Sequence, residues 1–476
     1  MLTRMFPRPP GREGESGVLR QIDRMPTASF FNDLMQTLGD RGRALIGRSR
    51  EAIAHGDLVA LGELLLSRRG EASGVALAST LLDTYLTAPL AMRLSFLTAL
   101  ADRFGPDRDK VEKAIDAYRH DPGPATTHAL QEAAEARRQE LIRRLNLAPG
   151  GTSALVRMRE ELLAHLPARP DLQAVDADFT HLFSSWFNRG FLVLRPIDWT
   201  TPANILEKII RYEAVHAIND WNDLRNRLQP PDRRCFAFFH PQLADEPLIF
   251  VEVALTTETP DAIAPLLDTR RTPIPAADAT TAVFYSISNT QKGLGGVSFG
   301  NFLIKQVVDD LQRELPGLNT FVTLSPVPKF ADWLARERTA ETSTVLNEGA
   351  KEALRLLDEP GWHADPIKTE SVRKPLLSAA AHYFLKAKSS KGRPIDPVAR
   401  FHLGNGARLE RLNFLGDASP KGLQQAHGLM VNYCYDLDDI EKNHETFAEK
   451  GEVVASPAVR KLLRATPAPR DLVPAQ

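Results

Sequence analysis

Apolar residues recur at spacings of three and four through most of the first 166 positions. LGELLLSRRG, LASTLLDTYLTA, LAMRLSFLTALADRF and LQEAAEARRQELIRRLNL all carry the pattern. That period gathers apolar side chains on one stripe of a helix, and it predicts a helical bundle from Phe30 to about Leu166. Breaks are expected at Asp121-Pro122-Gly123 and Pro149-Gly150-Gly151, where proline and glycine favour turns. No fixed-period self-similarity marks a solenoid. Near Gly190 the pattern changes to short strand-like runs: GFLVLRPIDW, RRCFAFFHP, PLIFVEVALT, AVFYSIS and NTFVTLS. Helices are expected in TTPANILEKIIRYEAVHAI, from about Phe299 to Leu315, and around Glu341–Leu357 and Arg373–Ala387. Final strands are expected in ARLERLNFL and GLMVNYCYDL. The expected fold class is α plus α/β, a helical bundle followed by a mixed domain.

Composition narrows the partners without naming one. The 476 residues carry 59 Lys and Arg against 60 Asp and Glu, so neither a nucleic-acid nor a general membrane partner is expected. No stretch has the length and apolarity of a membrane span. Cys235 and Cys434 form no CxxC pair and sit in apolar surroundings, which points to small core residues in a reducing cytoplasm. The first residues are rich in Arg and Pro, include Glu13 and Glu15, and lack an apolar run, which argues against a secretory signal. The expected boundaries are a tail over 1–26, a helical domain over 27–190, a mixed domain over 191–457 and a tail over 458–476.

The densest chemistry lies between Ala282 and Phe330. Gly293, Gly295 and Gly296 fall between a strand and a helix, where glycines let successive backbone N–H groups turn toward one anion. The helix start adds unpaired N–H groups, and Lys292 adds a charge. A turn that only lets helix pack on strand fits the glycines equally well. The spacing is neither a Walker A loop nor G-x-G-x-x-G. It resembles the Q/R-x-x-G-x-G/A pyrophosphate loop of Gcn5-related N-acetyltransferases, with Thr290 at the first position and Gln291 one place late. Ser325, in TLSPVPKF, lacks the G-x-S-x-G elbow, and alone it reads as a strand-end serine before a turn. Ser286 and Ser288 share one side of their strand. Asp396-Pro397 opens a short predicted helix that carries Val398 and His402 on one face and stops at Gly404-Asn405-Gly406. An imidazole with an ordinary pKa near 6.5 exchanges protons at neutral pH. His216, His240 and His427 are further candidates by position, and no histidine cluster points to a metal. Tyr433 and Tyr435 share a strand face, where a hydroxyl could orient His402 or a serine, or the rings could simply pack at the edge.

Together IRYEAVHAINDWNDLRNRL, RRCFAFFHPQLADEPLIFVEVALT, the 282–330 stretch, PIDPVARFHLGNGARLERLNFLGDAS and GLMVNYCYDL resemble the malonyl-CoA decarboxylase family. The resemblance implies a helical oligomerisation domain joined to a Gcn5-related N-acetyltransferase-like catalytic domain. It implies malonyl-CoA and acetyl-CoA as substrate and product, no cofactor or metal, and a homo-oligomer, dimer or tetramer, built through the helices. Carried over by motif, the catalytic serine falls on Ser325 in LSPVP and the histidine on His402 in FHLGNGA. Supporting roles fall on Ser286 and Tyr435. The CoA loop comprises Gly293, Gly295, Gly296, Val297, Ser298, Phe299, Gly300 and Asn301. Where animal members place a glutamate after GLxGV, this chain has Ser298. Two rival readings remain open, a CoA-dependent acyltransferase of the same fold and a non-catalytic CoA-binding scaffold.

Overall fold

The computed structural model describes Thr37 and residues 57–463, apart from 68–69, 244, 298, 300–302 and 391. The three-and-four spacing of the first part is realised as helices α1 (Leu58–Ser67), α2 (Glu71–Thr87), α3 (Leu90–Asp102), α4 (Arg108–His120), α5 (Pro124–Ala134), α6 (Arg137–Leu145), α7 (Gly151–His165) and α8 (Gln173–Trp186). Both expected breaks are present, between α4 and α5 and between α6 and α7. α4 and α5 bury no side chain, whereas α7 buries Leu155, Val156, Met158 and Leu162. The proposed tail over 1–26 lies outside the described residues.

The mixed domain begins with β1 (Val193–Ile197), α9 (Ala203–Tyr212), α10 (Trp221–Leu228), β2 (Arg233–Phe239) and β3 (Pro247–Thr256). It continues with α11 (Ala264–Leu267), β4 (Thr281–Asn289), α12 (Leu303–Glu314), β5 (Thr320–Thr323) and β6 (Ser325–Pro326). Then come α13 (Phe330–Thr339), α14 (Glu348–Leu354), α15 (Pro366–Leu385), α16 (Pro397–Gly404), β7 (Arg408–Asn413), α17 (Pro420–Ala426), β8 (Met430–Cys434), α18 (Ile440–Lys450) and α19 (Pro457–Leu463). The strands form one sheet in the order β1-β2-β3-β4-β5-β8-β6, with β7 on β8. β1 to β4 are antiparallel, and β4 and β5 are parallel. The expected helix around Arg373 starts earlier, at Pro366, because Asp365 accepts from the Ile367 N–H and caps it. Residues 458–463, expected as tail, belong to α19, whose Val459 is buried.

β3 is buried at nine of its ten positions, because both sheet faces are covered. One face joins the helical domain in a continuous apolar core that includes Leu155 and Val156 of α7 with Leu294, Val297 and Leu303. On the other face Ile205, Leu206 and Ile209 of α9 pack against Cys235, Ala237 and Phe250. Each buried Leu, Ile, Val or Phe among them contributes about 1.5–3 kcal/mol.

Two irregularities shape the sheet centre. β4 pairs β5 only from Thr281/Thr320 to Phe284/Thr323, and the Leu324 N–H to Phe284 carbonyl bond at 2.9 Å follows. Beyond it the strands part, so Ser286 and Ser325 each stand two residues past the last pair. Opposite β3, the register slips between Glu252 and Val253, which leaves Tyr285 as an extra residue in β4. A bulge of this kind reverses the alternation that follows. Phe284 and Ile287 therefore pack in one core, while Ser286 and Ser288 turn to the opposite face.

Candidate active site

Local sequence builds the histidine's helix. Asp396 Oδ1 accepts from the Ala399 N–H at 2.9 Å, Pro397 opens the first turn, and the Asn405 N–H closes back on the His402 carbonyl at 3.1 Å. His402 thus occupies the last turn, 2% exposed, with its ring stacked on Tyr433 at 4.6 Å between centroids. Its Nε2 lies 3.1 Å from Ser325 Oγ and its Nδ1 lies 2.7 Å from Tyr435 Oη. Ser325 Oγ donates to Thr323 Oγ1 at 2.9 Å, and the Tyr433 N–H donates to that same oxygen at 3.1 Å. The result is a buried chain, Tyr435 to His402 to Ser325 to Thr323. With Ser325 donating to Thr323, Nε2–H donates to Ser325 and the Tyr435 hydroxyl donates to Nδ1.

Burial sets the protonation state of this chain. Among the described residues no carboxylate or other compensating charge lies against His402, and burial pushes its pKa from near 6.5 down to about 3. The ring is therefore neutral at pH 7, not poised to titrate there as its ordinary pKa suggested. Burial likewise raises the Tyr435 and Tyr433 hydroxyls well above their usual value. Asp396, also buried, is pushed up to about 6.

Ser286 is placed elsewhere. Its Oγ donates to both oxygens of buried Glu213 at 2.8 Å, and Ser288 Oγ lies 3.3 Å from Glu213 Oε2. Glu213 Oε1 also accepts the Val215 and His216 N–H groups at 2.7 Å each. Ser286 makes no hydrogen bond with Ser325 or His402, because the Tyr285 bulge turns it to the other sheet face. Glu213, in RYEAVH, escaped the sequence reading because its pairing with Ser286 spans 73 positions. Thr323 could have been found, since period-two alternation in TLS puts it on the same side as Ser325.

The glycine loop divides into two roles. A Cβ on Gly293 would stand 1.9 Å from the Val156 carbonyl oxygen of α7, so this glycine exists for close packing. Gly296 has φ +77° with open space around it, so it serves the backbone turn. The N–H groups of Leu294, Gly295 and Val297 already bond to the carbonyls of Gln291, Lys292 and Leu294. The cradle expected from successive free N–H groups is thus narrower, because the loop's own turns consume three of them. A cavity of about 340 Å³ separates this loop from α16, with Lys292, Gly296, Val297 and Phe299 on one wall and Arg400 and Asn405 on the other. Ser325 and His402 lie outside that lining, toward the gap between β4 and β5. Ser298, Gly300 and Asn301 fall outside the described residues.

The other histidines have different surroundings. His240 Nε2 lies 3.1 Å from the Trp186 carbonyl, and burial holds its pKa below 6.5. Burial lowers His216 and His427 to about 4 each. Among the described residues, no helix is long and apolar enough to cross a membrane.

Comparison with known proteins gives a consistent result across the chain. The family model for the malonyl-CoA decarboxylase C-terminal domain matches residues 190–473, and that for the N-terminal domain matches residues 104–187. The mitochondrial malonyl-CoA decarboxylase of Anser anser anser is 33% identical over 400 residues, 77% of this chain and 79% of that protein. A crystal structure of malonyl-CoA decarboxylase from Rhodopseudomonas palustris is 65% identical with a TM-score of 0.83, covering 85% of this chain and 99% of that one. The corresponding structure from Agrobacterium vitis is 61% identical with a TM-score of 0.82, covering 86% and 99%.

Proposed function

The chain belongs to the malonyl-CoA decarboxylase family, whose members are carboxy-lyases, and from that premise we propose that it converts malonyl-CoA to acetyl-CoA and CO2 with Ser325, His402 and Tyr435. The observation that carries the assignment of residues is the buried Tyr435–His402–Ser325 chain at the parting of β4 and β5. The nucleotide end of the substrate lies in the cavity between the glycine loop and α16. The acyl arm passes into the gap between the strands, which brings the thioester to Ser325.

Decarboxylation breaks the bond between the carboxylate carbon and the α-carbon. The electron pair stays on the α-carbon and spreads to the thioester oxygen, CO2 departs, and one proton is added to the α-carbon. A neutral imidazole suits this task, because its Nε2–H holds Ser325 Oγ and leaves the Ser325 hydroxyl to turn from Thr323 to the substrate in a site of low polarity. One preorganised donor of this kind is worth about 2.7–4 kcal/mol to a developing oxyanion. Ser325 gives its proton to carbon and regains one from Nε2, Tyr435 passes its own to Nδ1, and one proton taken up from water restores the Tyr435 hydroxyl. A charged imidazolium is not required at any step. Ser286, held by Glu213, stands on the far lip of the same opening and borders the acyl arm from the other side.

Incubation of the purified chain with malonyl-CoA alone tests the reading. Release of CO2 and acetyl-CoA in equal amounts is expected without any acceptor. Intact malonyl-CoA, or turnover only after an amine is added, would return the site to the acyltransferase reading.

A further inference from the structure

Arg159, on α7, is 2% exposed, and four of the five N–H donors of its guanidinium have partners among the described residues. Its Nη1 donates to the carbonyls of Gly293 at 2.7 Å and Gly295 at 2.9 Å. Its Nε donates to Asp176 Oδ1 at 2.9 Å and its Nη2 to Thr180 Oγ1 at 2.9 Å, both on α8. A residue of the helical domain therefore grips the backbone of the glycine loop, and α8 fixes the grip. Gly293, pressed against the Val156 carbonyl, gives the same loop a second anchor on α7.

We propose that Arg159 is a positioning residue for the phosphates of the CoA substrate: by fixing the Gly295 carbonyl it aims the Gly296 N–H into the ligand cavity. The proposal rests on the reading of this loop as the CoA site and adds the residue that shapes it. In a trans peptide the C=O and the following N–H point in opposite directions, and the described chain has no cis peptide. With its carbonyl turned to Arg159, the peptide unit after Gly295 directs its N–H away from α7. Gly296 lines the cavity, and its N–H has no hydrogen-bond partner among the described residues. The neighbouring N–H groups of Leu294, Gly295 and Val297 are used within the loop. Within Leu294–Val297 the Gly296 N–H is the donor left over among the described residues, and Arg159 decides its direction. The helical domain then has a part in substrate binding besides packing.

Arg159→Lys and Thr180→Val in the full chain, assayed with malonyl-CoA and with malonyl-pantetheine, test this. The second substrate keeps the reacting group and lacks the nucleotide phosphates. Arg159→Lys is expected to raise KM for malonyl-CoA about tenfold or more, with kcat within about threefold and KM for malonyl-pantetheine within about twofold. Thr180→Val, which loosens one arm of the grip and keeps the charge, is expected to raise KM for malonyl-CoA about threefold and to spare malonyl-pantetheine. Equal losses with both substrates, or no loss with either, overturn the proposal. If Arg159→Lys does not fold, Thr180→Val decides by the same ratio. If the unaltered chain leaves both substrates intact, the activity reading fails, and calorimetric dissociation constants for CoA and pantetheine make the same comparison.

Discussion

Two buried polar centres face the parting of β4 and β5, and they solve burial in opposite ways. On one sheet face His402, Ser325, Tyr435 and Thr323 form a chain of neutral groups, each satisfied by the next. On the other face stand Glu213 with Ser286 and, beside them in β3, Glu252 with Arg227 at 2.9 Å. Glu252 is fully buried, one of its oxygens has no hydrogen-bond partner among the described residues, and burial pushes its pKa up to about 7. The neutral centre can change hydrogen-bond direction without creating charge, which suits a proton relay. The charged centre is costly to disturb, because removing one partner strands the other in a medium of low polarity. Under the proposed mechanism the neutral centre does the chemistry and the charged one supports it.

The sharpest way to break that division is by turnover. His402→Ala and Ser325→Ala are expected to lower kcat at least about a hundredfold with little change in CoA affinity. Ser286→Ala should cost distinctly less, since Ser286 makes no bond to the histidine. Equal losses at Ser286 and Ser325, measured as kcat with malonyl-CoA, would merge the two centres into one. Stability gives the next contrast. Arg227→Met leaves Glu252 without its cation and should cost about 3–5 kcal/mol in urea unfolding. Tyr435→Phe removes one neutral hydrogen bond and should cost about 0.5–1.5 kcal/mol.

The last contrast is the pH dependence of stability, where the two centres have opposite signs. His402 binds its proton near pH 3 when folded and near pH 6.5 when unfolded, so between those values the unfolded chain holds the extra proton. Stability from this group is present above pH 6.5 and is lost as the pH falls. Glu252 titrates near 7 when folded against an ordinary 4.5, so its contribution is lost as the pH rises through that window. His402→Gln should therefore flatten the fall in melting temperature between pH 6.5 and 5, and Glu252→Gln should steepen it. Parallel melting curves for His402→Gln and the unaltered chain would show that the imidazole is not held neutral.

Much of this architecture was legible in local pattern. The three-and-four spacing marked the helical bundle, and the turns at Asp121-Pro122-Gly123 and Pro149-Gly150-Gly151 fell where the helices break. Asp396-Pro397 announced the helix of His402, because an N-cap acceptor followed by a residue lacking an N–H is a local instruction. The glycines were visible, but their separate duties were not: Gly293 yields space to α7 and Gly296 takes a positive φ. Period-two alternation put Ser286 and Ser288 together correctly, yet it carried no sign of the Tyr285 bulge that selects their face.

The sequence by itself determined the order of elements, the family, and the residue types able to stabilise an enolate, because propensity, capping and motif are properties of neighbouring residues. Only the tertiary structure decided which of those residues meet. Ser325 finds His402 across 77 positions, Ser286 finds Glu213 across 73, and Arg159 reaches Gly293 across 134. The neutrality of His402 was decided at the same level. An imidazole's pKa depends on what replaces water around it, and that solvent is assembled from α16, β6 and β8 only when the chain has closed on itself.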